Sequence, residues 1–260
     1  MEGQSQRVLY EVTGHIAVIT FNRPAQRNAF DAEMTQEMRA AMDRLEAEEE
    51  AWTGIVTGAG DRAFCAGMDL KAFAAGEGPA ILEGKGGFAG FVTYPRTKPV
   101  IAAVNGAALA GGCEIVLSCD LVVAAESALF GQPEVKRGLY AGAGGAFRLP
   151  RTMPKMRAMQ MLLTGEPIDA HDAYLLGFVN AVVPKDGLME AALDLARRIC
   201  VNAPLGVRAN LALARAALDM TDEELWQKNA TIWQAILRSA DAAEGPAAFA
   251  EKREPRWKSR

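Results

Sequence analysis

Histidine is scarce, with only His15 and His171 in 260 residues. His15 falls in a turn and His171 opens a helix, and no G-x-S-x-G occurs, so a serine-hydrolase triad lacks its parts. Cysteine is sparse too: Cys65, Cys113, Cys119 and Cys200 form no C-x-x-C pair. With two histidines, that leaves no set for a cysteine/histidine metal site, and the thiols read as reduced and structural. No metal is expected. Positive charge shows no excess, with 28 Lys+Arg against 32 Asp+Glu and a net charge of -4. The basic residues are scattered until the last few positions, which argues against a phosphate-tracking face for nucleic acid. Long apolar runs are missing. The longest uncharged stretch, 99–113, has 15 residues and is broken by Asn105 and several glycines, short of the roughly 20 that a spanning helix needs. Residues 1–10 hold no apolar core long enough for a signal peptide. The expectation is a soluble, unexported, cytoplasmic protein without a membrane or nucleic-acid partner.

What is present is ordinary globular composition, with 50% apolar and 23% charged residues. Residues 8–12 and 16–21 read as strands joined by a tight turn at Thr13-Gly14-His15. Asp31 suits the cap of a helix whose Met34, Met38, Met42 and Leu45 recur at spacings of four, four and three, with acidic residues 46–50 at its solvated end. Residues 54–57, 100–104 and 121–125 read as short buried strands, so strands and helices interleave through the first 135 residues. Pro154 suits a first helical turn, 170–176 is predicted helical and 179–183 a last strand. Helices are then predicted over 188–200, 205–218 and 221–237, the last opened by the capping-box pattern Thr221-Asp222-Glu223-Glu224. This α/β reading places a boundary near residue 190, with a catalytic core over 1–190 and a helical region over 191–260. Gly76, Gly78, Gly84, Gly86, Gly87 and Gly90 predict a mobile surface segment.

Two glycine clusters invite a nucleotide. Gly58-Ala59-Gly60-Asp61-Arg62-Ala63 loosely fits G-x-G-x-x-A, but no amphipathic helix follows to receive a pyrophosphate. Gly142-Ala143-Gly144-Gly145 better suits close backbone packing or a helix amino terminus. More telling is Glu114, the only acidic or basic side chain between Lys98 and Asp120. Such isolation points either to a buried or cleft-lining acid with a raised pKa, or to a partner for a distant arginine. Glu134 follows Phe130-Gly131-Gln132-Pro133 and reads as a second candidate or as an ordinary loop residue. Two carboxyls in one cleft push their proton affinities apart, leaving an acid and a base able to add or remove water across a carbon–carbon bond. Ala66-Gly67-Met68 and Ala110-Gly111-Gly112 place small residues where main-chain N–H groups could meet at an oxyanion, or where turns simply pack closely.

Taken in order, Ala63-Phe64-Cys65-Ala66-Gly67-Met68-Asp69-Leu70, Lys98-Pro99-Val100-Ile101-Ala102-Ala103-Val104-Asn105-Gly106, Ala110-Gly111-Gly112-Cys113-Glu114 and Phe130-Gly131-Gln132-Pro133-Glu134 resemble the crotonase family of enoyl-CoA hydratases and isomerases. The likeness runs from Asn22-Arg23-Pro24 to Phe249-Ala250-Glu251-Lys252-Arg253, nearly the whole chain. It implies a spiral of ββα units and a carboxyl-terminal helical region forming trimers, commonly paired as hexamers. It also implies that the amides of Met68 and Gly111 bind a thioester oxygen, that Glu114 and Glu134 are the catalytic acids, and that Gly142 helps hold the water. The presence of both acids favours hydration over isomerisation, hydrolysis or decarboxylation. Ala66 matches a contact to the adenine of coenzyme A and Lys71 a charge near its phosphates, while Phe249 and Lys252 match residues reaching a neighbouring subunit's coenzyme. Ala25 replaces a common lysine, which passes its phosphate contact to Arg27 or loses it. Ala110 stands where glycine is usual, and Tyr140-Ala141 replaces isoleucine-proline. The acyl group is expected toward 72–94, its length unspecified, with no cofactor beyond the coenzyme A of the substrate.

Overall fold

Gly14 and His15 form the two-residue turn of the opening hairpin, both at positive φ (53° and 68°), the geometry that matches strand twist in a tight hairpin. They join β1 (Val8–Thr13) to β2 (Ile16–Phe21), paired antiparallel with Thr13 opposite Ile16. A computed structural model of the chain describes residues 6–259; the first five residues of the stretch read for a signal peptide lie outside them.

From β2 the sheet continues in parallel through β3 (Thr53–Gly58), β5 (Val100–Val104), β7 (Leu121–Ala125) and β10 (Ala181–Val183), in the order β1-β2-β3-β5-β7-β10. A second sheet of four short strands is ordered β4 (Ala63–Cys65), β6 (Ala107–Leu109), β8 (Leu129–Gly131) and β9 (Ile168–Asp169). Each of β3, β5 and β7 is followed in the chain by a short strand of the second sheet and then by helix. That repetition is the ββα spiral expected from the resemblance.

The first sheet is covered on both faces, which is why its inner strands read as continuous apolar runs. Successive side chains alternate between two cores. Val56, Ala102, Val104, Val122 and Ala124 join Met34, Met38, Met42 and Leu45 of α1 (Ala32–Ala47). Ile55, Ile101, Ala103, Val123 and Ala125 meet Leu188, Ala192 and Ala196 of α8 (Leu188–Cys200). Asp31 caps α1 as expected, its carboxylate accepting from the Met34 amide at 2.9 Å.

The remaining helices are α2 (Leu70–Ala72), α3 (Gly78–Leu82), α4 (Gly111–Ser118), α5 (Gly145–Thr152), α6 (Lys155–Thr164), α7 (Ala170–Leu175), α9 (Pro204–Ala216), α10 (Asp222–Leu237) and α11 (Ala240–Glu251). Thr221 and Glu224 form the capping box of α10. Helix α9 is tied to the sheet by Arg215, whose Nη2 reaches both carboxylate oxygens of Asp120, at 2.6 and 2.8 Å.

Three expectations are corrected. The last strand begins at Ala181 rather than 179 because the Phe178 and Val179 amides both donate to the Ala173 carbonyl in α7, and pairing with β7 starts at Ala181 opposite Val123. Glu46 is not merely solvated: its carboxylate accepts from the Thr97 amide and hydroxyl and from the Lys98 amide. The glycine-rich segment lies at the surface only in part: Gly76, Pro79, Ala80 and residues 82–85 are exposed, whereas Ile81 and Phe88 are buried in the core. Several of its glycines serve close packing, as at Gly90 (φ 65°), where a Cβ would lie 2.4 Å from Cγ of Arg39. Among the described residues, no helix is long and apolar enough to cross a membrane.

Candidate active site

Two tight turns bring two main-chain amides together. Gly67, after β4, has φ 93°, and a Cβ there would lie 2.9 Å from the amide nitrogen of Gly111. A Cβ on Gly112 would lie 2.0 Å from the Cys65 carbonyl oxygen. The loop carrying Met68 therefore packs directly on the start of α4. Phe30 secures that loop, donating to the Gly67 carbonyl at 2.9 Å and accepting from the Asp69 amide at 2.8 Å. Met68 and Gly111 both line a cavity of about 920 Å³. Among the described residues, neither of their amides donates to a protein acceptor.

Ala110, just before α4, is held at φ 51° and ψ -127°, a conformation that favours glycine. Ala110→Gly is expected to raise stability by about 1 kcal/mol by relieving that strain; urea denaturation of both proteins checks it.

Glu114 lies one turn along α4 from Gly111, and Glu134 comes from the short 3-10 turn Pro133–Arg137 after β8. Both line the same cavity. Glu114 is only 3% exposed, and its Oε1 accepts from the Gly145 amide at 2.8 Å. Burial raises its carboxyl to about 7, helped by the charge of Glu134 and opposed by the Gly145 and Ala143 amides and by Arg148. Burial also raises Glu134. Gln132, 1% exposed, turns its carboxamide nitrogen to both oxygens of Glu134, at 2.9 and 3.2 Å. A carboxylate only accepts, so the nitrogen is the end of the amide that faces it.

Arg27, Ala66, Met68, Gly111, Glu114, Glu134 and Gly142 thus share one cavity. Arg27 sits at φ 53°, and its carbonyl accepts from the Ala66 amide at 3.0 Å. Gly142 donates its N–H to the Tyr140 carbonyl at 2.8 Å, so in this structure the amides that reach Glu114 are those of Gly145 and Ala143, not that of Gly142. Lys71 is exposed and lies outside the cavity lining, as do Phe249 on α11 and Lys252 at its end. Phe249 is 87% exposed.

Sequence reasoning missed Gly145, Gln132, Arg148 and Phe88. Arg148 lines the cavity and donates to Ser118 Oγ at 2.7 Å and the Val92 carbonyl at 2.8 Å. Phe88 seats its ring on Gly111, where a Cβ would lie 2.3 Å from it. The neighbouring Cys113 is no ready nucleophile, since burial pushes its thiol up. Among the described residues, no group of three or more His, Cys, Asp or Glu side chains is placed to hold a metal.

A ββα spiral whose cavity joins two free amides to two raised carboxyls defines an enzyme of the crotonase type. The chain belongs to the enoyl-CoA hydratase/isomerase family, whose model matches residues 11–260. Among its relatives is a carnitinyl-CoA dehydratase from Citrobacter koseri, 42% identical over 252 residues, covering 95% of this chain and 96% of that protein. The crystal structure of an enoyl-CoA hydratase from Mycobacterium tuberculosis superposes with a TM-score of 0.93 at 43% identity, covering 98% of this chain and 99% of that one. That of a carnitinyl-CoA hydratase from Mycobacterium avium gives 0.77 at 46% identity, covering 99% and 100%.

Proposed function

We propose that the protein reversibly adds water across the 2,3 double bond of a 2-enoyl-CoA thioester. The observation carrying this reading is that both raised carboxyls, Glu114 and Glu134, line the cavity into which the Met68 and Gly111 amides open. The thioester oxygen accepts from those two amides, which stabilise the enolate-like charge as it develops; each such donor is typically worth about 2.7–4 kcal/mol. Glu114 takes a proton from water as the oxygen bonds to the β-carbon, and Glu134 delivers a proton to the α-carbon as the π bond is consumed. The resting site favours the proton on Glu114, the more strongly raised acid, so the two titrate as a pair. Hydration uses the singly protonated pair with Glu114 ionised and the proton on Glu134, so turnover is expected to fall as pH rises through about 7 and the pair loses its last proton. No metal or cofactor beyond the substrate's own coenzyme A enters this scheme.

We assign the coenzyme to Arg27, Ala66 and Lys71. Phe249 and Lys252, exposed on this chain, would complete the site of a neighbouring subunit in a trimer or a pair of trimers. The exposed Trp226, Trp233 and Leu237 of α10 suit burial in such an assembly.

The names of the relatives favour a second reading, dehydration of a specialised hydroxyacyl thioester, which is the same chemistry reversed. Carnitine carries a trimethylammonium group. Besides the two glutamates, the charged residues lining the cavity among the described residues are Arg27, Lys136, Arg137 and Arg148, which disfavour a fixed cation. We therefore assign an uncharged acyl group. A panel of enoyl-CoA thioesters, followed by loss of the conjugated thioester absorbance, tests both points. Neutral 5,5-dimethylhex-2-enoyl-CoA is expected to exceed its isosteric 4-trimethylammonio-2-butenoyl counterpart in kcat/KM by roughly tenfold or more. Faster turnover of the cation would favour the carnitinyl reading, and no turnover of any member would refute hydration.

A further inference from the structure

One wall of the cavity is built by the segment running from Phe73 to Thr93, through Phe73, Leu82, Gly87, Phe88, Val92 and Thr93. Phe88 is fixed from within, against Gly111 and edge-on to Phe30. The outer part of the wall is fastened differently. Helix α1 carries Arg39, Asp43 and Glu46 at i, i+4 and i+7, one stripe along its surface. Asp43 takes the Lys85 ammonium and the Tyr94 hydroxyl, and Glu46 takes the amides of Thr97 and Lys98.

Arg39 makes three of these attachments. Its Nε donates to the Lys85 carbonyl at 3.1 Å, and its Nη2 to the carbonyls of Ala80, at 3.1 Å, and Glu83. Ala80 lies in α3 and Glu83 directly follows it, so these are the acceptors a helix end leaves unsatisfied, which basic side chains commonly serve. The stem of Arg39 packs on Gly90, where no Cβ would fit. Arg39 itself does not line the cavity, yet the helix it caps ends on Leu82, which does.

We propose that Arg39 is a specificity-determining positioning residue: by capping α3 and clamping the glycine-rich turn to α1, it sets how far Leu82 stands into the cavity and so how long an acyl chain fits. This rests on the reading that the cavity takes an acyl thioester with its acyl end toward this wall. The clamp consists of solvent-exposed polar bonds, each weak compared with core burial. Removing it frees the outer wall while leaving Phe88 and the two carboxyls in place.

The test uses saturated acyl-CoA thioesters, which cannot be hydrated, so that binding is read apart from catalysis. Arg39→Met keeps the stem on Gly90 and removes every donor. The ratio of dissociation constants for butanoyl-CoA and decanoyl-CoA is expected to shift at least tenfold toward the longer chain, with faster amide exchange over 80–87. In Arg39→Ala, added guanidinium ion is expected to return the ratio toward the wild-type value. An unchanged ratio in both variants overturns the proposal, whatever the hydration panel gives. Failure of the wild type to bind either thioester overturns the underlying reading, and that result appears before any variant is made.

Discussion

Glu114→Gln and Glu134→Gln are each expected to lower kcat for hydration by roughly 10²–10⁴, the range for loss of a positioned acid or base, with little change in shape. Stopped or steady-state assays on the best substrate of the enoyl-CoA panel check this, and wild-type turnover in both variants would remove the pair from the mechanism. The residual activity of Glu134→Gln carries a second signature. The charge of Glu134 helps raise Glu114, so in this variant, where Glu114 alone must be ionised, the residual rate is expected to rise with pH at a point below about 7. Stability moves the other way. A carboxyl raised from 4.5 to about 7 on folding favours the folded state while protonated. That contribution is complete below about pH 4.5 and is lost as the pH climbs through about 7. Above this, ionised Glu114 costs the fold about 3 kcal/mol, taking 1.36 kcal/mol per pKa unit. Glu114→Gln keeps an acceptor for the Gly145 amide and removes the charge. The inactive variant is therefore expected to be more stable than wild type at pH 8 and to lose that advantage by pH 5, as urea denaturation at both values will report.

Gly112→Ala is expected to be nearly as damaging to turnover, although it changes no charged group. Its Cβ would sit 2.0 Å from the Cys65 carbonyl oxygen, and both partners there are backbone. The loop bearing Met68 and the start of α4 must separate, which spoils the joint aim of the Met68 and Gly111 amides. Loss of one oxyanion donor typically lowers kcat by roughly 10²–10³, and overpacking of this kind destabilises by about 1–3 kcal/mol. Gly187→Ala is the control: it has open space around the new Cβ and an ordinary φ of -91°. Comparable losses in both variants would show that the effect is not specific to the amide pair.

Much of this was legible in the residues because local chemistry and global fold agree. The hairpin turn, the Asp31 cap with its methionine stripe, and the Thr221 capping box each declare themselves within a few residues. The isolation of Glu114 in an apolar stretch pointed either to a buried or cleft-lining acid or to a partner for a distant arginine, and Glu114 is buried and lines the cavity. What escaped depends on segments far apart in the chain. The amide that binds Glu114 belongs to Gly145, 31 residues on, and nothing local distinguishes that glycine from its neighbours. Glycines 76–90 suggested mobility because glycine is permissive, but several are there because Arg39, Gly90 and Thr93 crowd them. Lys98 served only to mark the end of an uncharged run, and nothing local foretold that it is 2% exposed, its ammonium donating to the carbonyls of Leu45 and Glu48 at 2.6 Å each, at the end of α1. Phe249 and Lys252 were named by resemblance alone, and their exposure here is consistent with a role outside this chain's own cavity.

The most direct measurement is a crystal structure of the protein with a saturated acyl-CoA thioester. The thioester oxygen should lie about 2.7–3.1 Å from the amide nitrogens of both Met68 and Gly111, with the β-carbon between Glu114 and Glu134. A thioester bound with its oxygen turned away from those amides, or with its β-carbon out of reach of either carboxyl, would contradict the assignment.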